Sequence, residues 1–167
     1  MNGEMDLLAS TLVLGLGATA LMDLWLMGLR RAGVPTLDFA LLGRWTGHLL
    51  QGRWRHEAIA KSRPVRGELA LGWLAHYAVG LLFAALLVAW QGAAWLMAPR
   101  PGPALALGLA TVAAPLLLMQ PAMGAGIAGR RKGPVAANLL RSGANHLVFG
   151  LGLYLNALGL QLLRGAA

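Results

Sequence analysis

Four residues carry chemistry in places where polarity is costly: Asp23, His76, Gln120 and His146. Each falls inside a different long run of apolar residues. Imidazole changes charge near neutral pH, so two histidines and a carboxylate at one depth could hold or pass a proton. The same groups could bind a small solute or an ion. A charge at the middle of a membrane helix costs ~2.5–3.5 kcal/mol on insertion scales, so Asp23 is expected to face protein and to have a partner. Asn145 stands beside His146, and Glu68 lies two turns before His76. His48 and His56 fall outside the apolar runs, where either could close the polar layer from one end. The plain alternative is that these groups bond one another and only hold helices together.

Metal chemistry is the second reading. Imidazole and thioether suit copper, and imidazole with carboxylate suits zinc, iron or nickel. His76 and His146, on separate helices, could also ligate a haem iron axially. A haem or transition-metal cofactor would rest on these two histidines without a signature spacing, because HExxH, CxxCH and His-x-x-x-His are all missing. The chain has no cysteine, which excludes disulfides and thiolate ligands or nucleophiles. Ser142 and His146 share a helix face, but no GxSxG elbow accompanies them, so no catalytic residue is assigned.

The elements that must position these residues are membrane helices. Apolar residues make up 57% of the 167 and charged residues 12%, against roughly 25% charged in a soluble domain. Mean hydropathy is +0.62. A soluble domain of this size could not cover that much apolar surface. The expected fold is all-α: a polytopic membrane protein built as a bundle of four transmembrane helices, in one domain over residues 1–167. The spans fall at about 7–29, 68–90, 104–128 and 137–163, each near the ~20 residues needed to cross a bilayer. Pro115 and Pro121 should kink the third. Gly15-x-Gly17 and Gly124-x-Gly126 lie within the expected spans and read as packing glycines. Residues 36–60 alternate apolar and polar positions at helical spacing. They predict an amphipathic helix in the cytoplasmic interface, between the first two spans, with Trp45 and Trp54 as anchors.

Charge sets the expected orientation. Eight of the 14 Lys and Arg fall in 30–66 and four in 129–141, leaving Arg100 and Arg164 at the other side. The positive-inside rule then puts both basic segments in the cytoplasm of a bacterium and both termini in the periplasm. Arg44, Arg53 and Arg55 are placed to contact the phosphates of anionic lipids. The net charge of +8 is accounted for by lipid and orientation, with no nucleic acid implied.

A set of short motifs runs through the chain: Met22-Asp23-Leu24-Trp25, Gly43-Arg44-Trp45 with His48, Arg53 to His56, and Arg66-Gly67-Glu68 followed by Gly72-Trp73 and His76-Tyr77. Met119-Gln120-Pro121 with Gly124 and Gly126, and His146 through Phe149 to Tyr154, complete it. Together they resemble the bacterial inner-membrane proteins grouped as domain of unknown function 2938, over nearly the whole chain. The resemblance implies the four-helix architecture and brings no activity, substrate or catalytic residue with it.

Three functions remain open at this point. One is a small binding or translocation protein, working as an oligomer, with its site at the Asp/His layer. Another is an accessory subunit of a larger membrane complex, docking through small residues such as Gly150, Gly152 and Gly159. The third is a haem- or metal-bound redox protein.

Overall fold

A computed structural model describes residues 2–165; Met1, Ala166 and Ala167 lie outside the described residues. The architecture is all-α, with four helices long and apolar enough to cross a membrane. Helix α1 spans Asn2–Arg31. It stops at Gly33, whose φ of +77° is left-handed. Val34 N–H bonds Leu29 O at 2.9 Å and Gly33 N–H bonds Arg30 O at 3.1 Å. That crossed pair is a Schellman cap, and Pro35 keeps the helix from resuming.

Helix α2 spans Phe39–Leu49. Asp38 caps it, accepting from Ala40 N–H at 2.9 Å and Leu41 N–H at 3.3 Å. The amphipathic segment expected over 36–60 is therefore helical only to Leu49. Residues 50–58 are irregular, with a short 3₁₀ turn at Ile59–Lys61. Helix α2 packs on helix α3, Glu68–Gln91, where glycines on both helices let the backbones touch.

After α3, a short helix α4 (Ala93–Met97) turns the chain into α5, Pro101–Thr111. Proline at the first position suits a helix start, since that N–H has no partner in any case. The third span departs from expectation. It runs from Pro101 to Ala122 and does not reach 128. Pro115 has no N–H to offer, and Ala114–Met119 widens into a π-helical turn in which Gln120 N–H reaches back to Pro115 O. Pro121 sits in the last turn, α6 (Gln120–Ala122), so it ends the span instead of kinking it. Gly124 and Gly126, at φ +88° and +78°, then reverse the chain. They are loop residues, not the packing glycines of a span. Helix α7 spans Val135–Gly165.

Helix α1 lies between α3 and α7, and α7 lies between α1 and α5; α3 and α5 close the ring only loosely. The core runs through Leu14, Ala18, Leu87, Phe149, Leu153 and Ala157. Outside it, Leu8, Leu24, Leu74 and Leu118 are more than half exposed. Such a leucine-covered exterior is stable only where hydrocarbon is the solvent. Close approach inside the bundle depends on small residues: a Cβ on Gly152 would lie 2.7 Å from Ala18 Cα, and one on Gly150 2.7 Å from Ala104 O. The face expected to dock a partner subunit is thus spent on α1 and α5 of the same chain; a Cβ on Gly159 would touch nothing.

Candidate functional site

Asp23 is the centre of the site. It lies on the last third of α1 and is 8% exposed. One carboxylate oxygen takes a hydrogen bond from His76 Nε2 at 2.9 Å. The other accepts from the Tyr77 hydroxyl, also at 2.9 Å. Adjacent residues of α3 thus grip both oxygens of one carboxylate. Tyr77 was not among the residues singled out for chemistry; its signal is a phenol beside a buried histidine, where a free carboxylate oxygen wants a second donor. Around this group Phe39 stacks on Trp73 with centroids 4.0 Å apart and meets the His76 ring edge-on at 5.0 Å.

His146 comes from α7. Its Nδ1 lies 2.8 Å from Thr111 Oγ1, at the end of α5. The Thr111 hydroxyl donates to Gly108 O at 2.7 Å. Thr111 was likewise not foreseen. Its sequence signal is a threonine four residues before Pro115, where helix bonding must fail.

His76 and His146 line one cavity of about 270 Å³. Its walls are otherwise apolar, with Met22, Val79, Phe83, Leu118 and Phe149 among them. Helix α2 closes one end with Leu42, Trp45 and Thr46. The π-helical turn contributes Ala114, Pro115, Leu118 and Met119 to the wall opposite α3.

The remaining candidates go elsewhere. Gln120 does not join the Asp23 group: its Oε1 accepts from Asn138 Nδ2 at 3.0 Å, and it lines a separate hollow with Gly129, Lys132 and Arg141. Asn145 accepts from Trp25 Nε1 at 2.9 Å across the α1–α7 contact. Glu68 and Arg44, the latter expected at lipid phosphate, form a two-point ion pair with bonds of 2.8 and 2.9 Å. Arg44 also donates to Ala60 O and Ser62 O, so its guanidinium is used within the protein. Arg53 and Arg55 remain exposed, Arg55 lying 5.9 Å from the Trp54 ring centre.

His48, in the last turn of α2, and His56, in the loop that follows, form a pair of their own. Their rings meet edge to face at 4.9 Å. His48 Nε2 bonds Arg63 O at 2.9 Å, and His56 Nδ1 bonds Ser62 Oγ at 3.1 Å. Burial pushes the His56 imidazole below its ordinary 6.5, and the neighbouring His48 pushes the same way. The loop is tied to the third span by His56 N–H to Ala122 O and Ile59 N–H to Met123 O.

As a metal site the arrangement is incomplete. No three His, Asp or Glu side chains converge among the described residues. His76 gives its Nε2 to Asp23, so an ion or haem iron there would have to take Nδ1. Comparison with known proteins found no match among curated proteins and none among solved structures. A family model does match, over residues 12–159, which takes in the second and third spans whole, most of the first and fourth, and all four histidines. The chain therefore belongs to the family described as protein of unknown function (DUF2938).

Proposed function

We propose that this protein is a small membrane-embedded binding protein for a lipophilic molecule, and that the Asp23–His76 pair exchanges a proton at that site. One observation carries the reading: two imidazoles from different helices, one of them held by a buried carboxylate, line the same apolar cavity. Ligand sites take this form, mostly apolar walls with a few placed polar groups. A volume of about 270 Å³ suits one ring or a short chain. Hydrated ions would find few ligands on such walls, so translocation of ions is the weaker version. The loose contact between α3 and the third span, with an open hollow lined by Phe83, Ala114 and Leu118, supports entry from the bilayer.

The same reading places the protein in the bacterial inner membrane, with the basic end in the cytoplasm and both termini in the periplasm. The distribution of Lys and Arg supports it. Arg53 and Arg55, exposed beside Trp54, would meet anionic headgroups.

The test is ligand-induced stabilisation in lipid nanodiscs. Ring-bearing lipophiles should raise the melting temperature of the wild type, because a ligand that binds only the folded state stabilises it. Val79→Phe, which fills the cavity, should abolish the shift while the protein still folds. No shift from any such lipophile, or an equal shift in Val79→Phe, rejects the reading.

A further inference from the structure

The hydrogen-bond partners around His146 favour one tautomer. Where α5 ends, Val112 N–H bonds Leu109 O at 3.1 Å. That turn tightens, and Gly108 O loses the donor that a continuing α-helix would give it. In hydrocarbon a bare carbonyl is costly, since no water can take its place. The Thr111 hydroxyl fills the role at 2.7 Å. A hydroxyl has one hydrogen, and here it is committed. Thr111 Oγ1 is then left to accept from His146, and the 2.8 Å contact favours Nδ1 as the protonated nitrogen of the neutral ring. Nε2 is left with a lone pair and no hydrogen.

His146 Nε2 has no hydrogen-bond partner among the described residues, and it is not sealed in protein as His56 Nε2 is. Its ring lines the cavity. The polar group offered there by α7 is thus an acceptor alone. A ligand that ends in a carbonyl, ether or carboxylate oxygen would meet lone pair against lone pair. A ligand that ends in a hydroxyl would complete the bond.

Resting on the binding reading above, we propose that the cavity selects lipophilic phenols and alcohols by accepting their hydroxyl hydrogen at His146 Nε2. Thr111 is a positioning residue: it fixes which nitrogen carries the proton. Selectivity follows from leaving one buried hydrogen bond unmade for the wrong ligand.

The experiment compares 4-nonylphenol with its methyl ether in nanodiscs, by ligand-dependent melting and by native mass spectrometry. The two share ring and tail and differ in one hydrogen. The phenol should bind about tenfold more tightly. In His146→Phe the preference should vanish. In Thr111→Val, which frees the ring to carry its proton on Nε2, the two ligands should approach parity; this variant keeps the test alive if His146→Phe does not fold. Equal binding of both ligands to the wild type overturns the selectivity and leaves the cavity reading standing. Failure of both to bind overturns the two together. A preference that survives in Thr111→Val and His146→Phe overturns the assignment to His146.

Discussion

Gly43 and Gly72 face each other where α2 crosses α3, and neither has room for a side chain. A Cβ on Gly43 would collide with Glu68 O, and one on Gly72 with Phe39 O. The contact fixes α2 against the bundle, and α2 supplies Leu42, Trp45 and Thr46 to the cavity. Gly43→Ala should therefore lower stability by ~1–3 kcal/mol or more, the usual cost of forcing atoms into packed space. Gly28→Ala is the control. Nothing lies near that position, and alanine in a helix interior should gain ~0.5–1 kcal/mol. Thermal melting of both variants in one detergent decides it. A Gly43→Ala protein that melts with the wild type would show that the helices do not touch there.

How far such contacts could be read in advance differs by level. The four apolar helices were plain in the sequence, because nothing but lipid tolerates so many exposed leucines. Asp23 was read as needing a partner, and its bonds to His76 and Tyr77 are of that kind. Gln120 misled because depth along a helix says nothing of direction around it. The π-helical turn at Pro115 changes that direction just before Gln120, and the side chain meets Asn138 instead. Arg44 misled for a different reason. Basic residues near a membrane are read as lipid contacts, yet Glu68 lies 24 residues on and only the fold of the loop brings it within 2.8 Å. Thr111 has a signal in its spacing from Pro115, but the acceptor its hydroxyl takes depends on a backbone hydrogen bond missing from the helix, which spacing alone cannot display.

The Asp23 group should be worth less to stability than its burial suggests. The unfolded reference in a membrane also finds polar partners, so such bonds average ~0.6 kcal/mol and reach ~1.7 at most. Tyr77→Phe removes one donor and keeps the ring. A loss of ~0.6–1.7 kcal/mol is expected by reversible unfolding in mixed micelles. Asp23→Leu should cost more, since it strands His76 and Tyr77 together. A Tyr77→Phe loss well above that range would mean the hydroxyl also organises the cavity wall.

The loop carrying His56, which packs on His48 at the end of α2, should loosen in mild acid. His56 is held below its ordinary 6.5 by burial and then by His48, so the folded loop resists a proton that the open loop accepts. The open form thus binds more protons as pH falls from about 6.5, and by linkage folding of the loop is disfavoured there. Above that pH both forms are neutral and the loop has its full stability. Hydrogen exchange at His56 and Ile59, whose amides bond Ala122 O and Met123 O, is the readout. Intrinsic amide exchange is base-catalysed and slows as pH falls from 7.5 to 5.5, so at these two amides the observed rate should slow by less than the intrinsic one, an excess that reports opening of the loop. In His56→Phe that excess should disappear. An excess that persists in the variant would assign the acid response to another group.

Orientation can be tested cleanly because the chain has no cysteine of its own. Gly102 sits at the start of α5, exposed and with open space where a side chain would go. Lys132 is exposed in the basic turn before α7. These two positions mark opposite ends of the bundle, since one span of 22 residues, Pro101–Ala122, separates their loops. Twelve basic residues at one end against two at the other should hold the basic end inside. A membrane-impermeant maleimide added to intact cells with a permeable outer membrane should label Gly102→Cys and spare Lys132→Cys. Lysis should then expose Lys132→Cys to the same reagent. The reverse pattern would place the Arg130-Arg131-Lys132 turn outside and, with it, the entire basic end that α2 and the histidine loop share. Labelling of both positions in intact cells would instead mean that the third span does not cross the membrane, which its π-helical turn and early end at Ala122 make the sharpest test of the four.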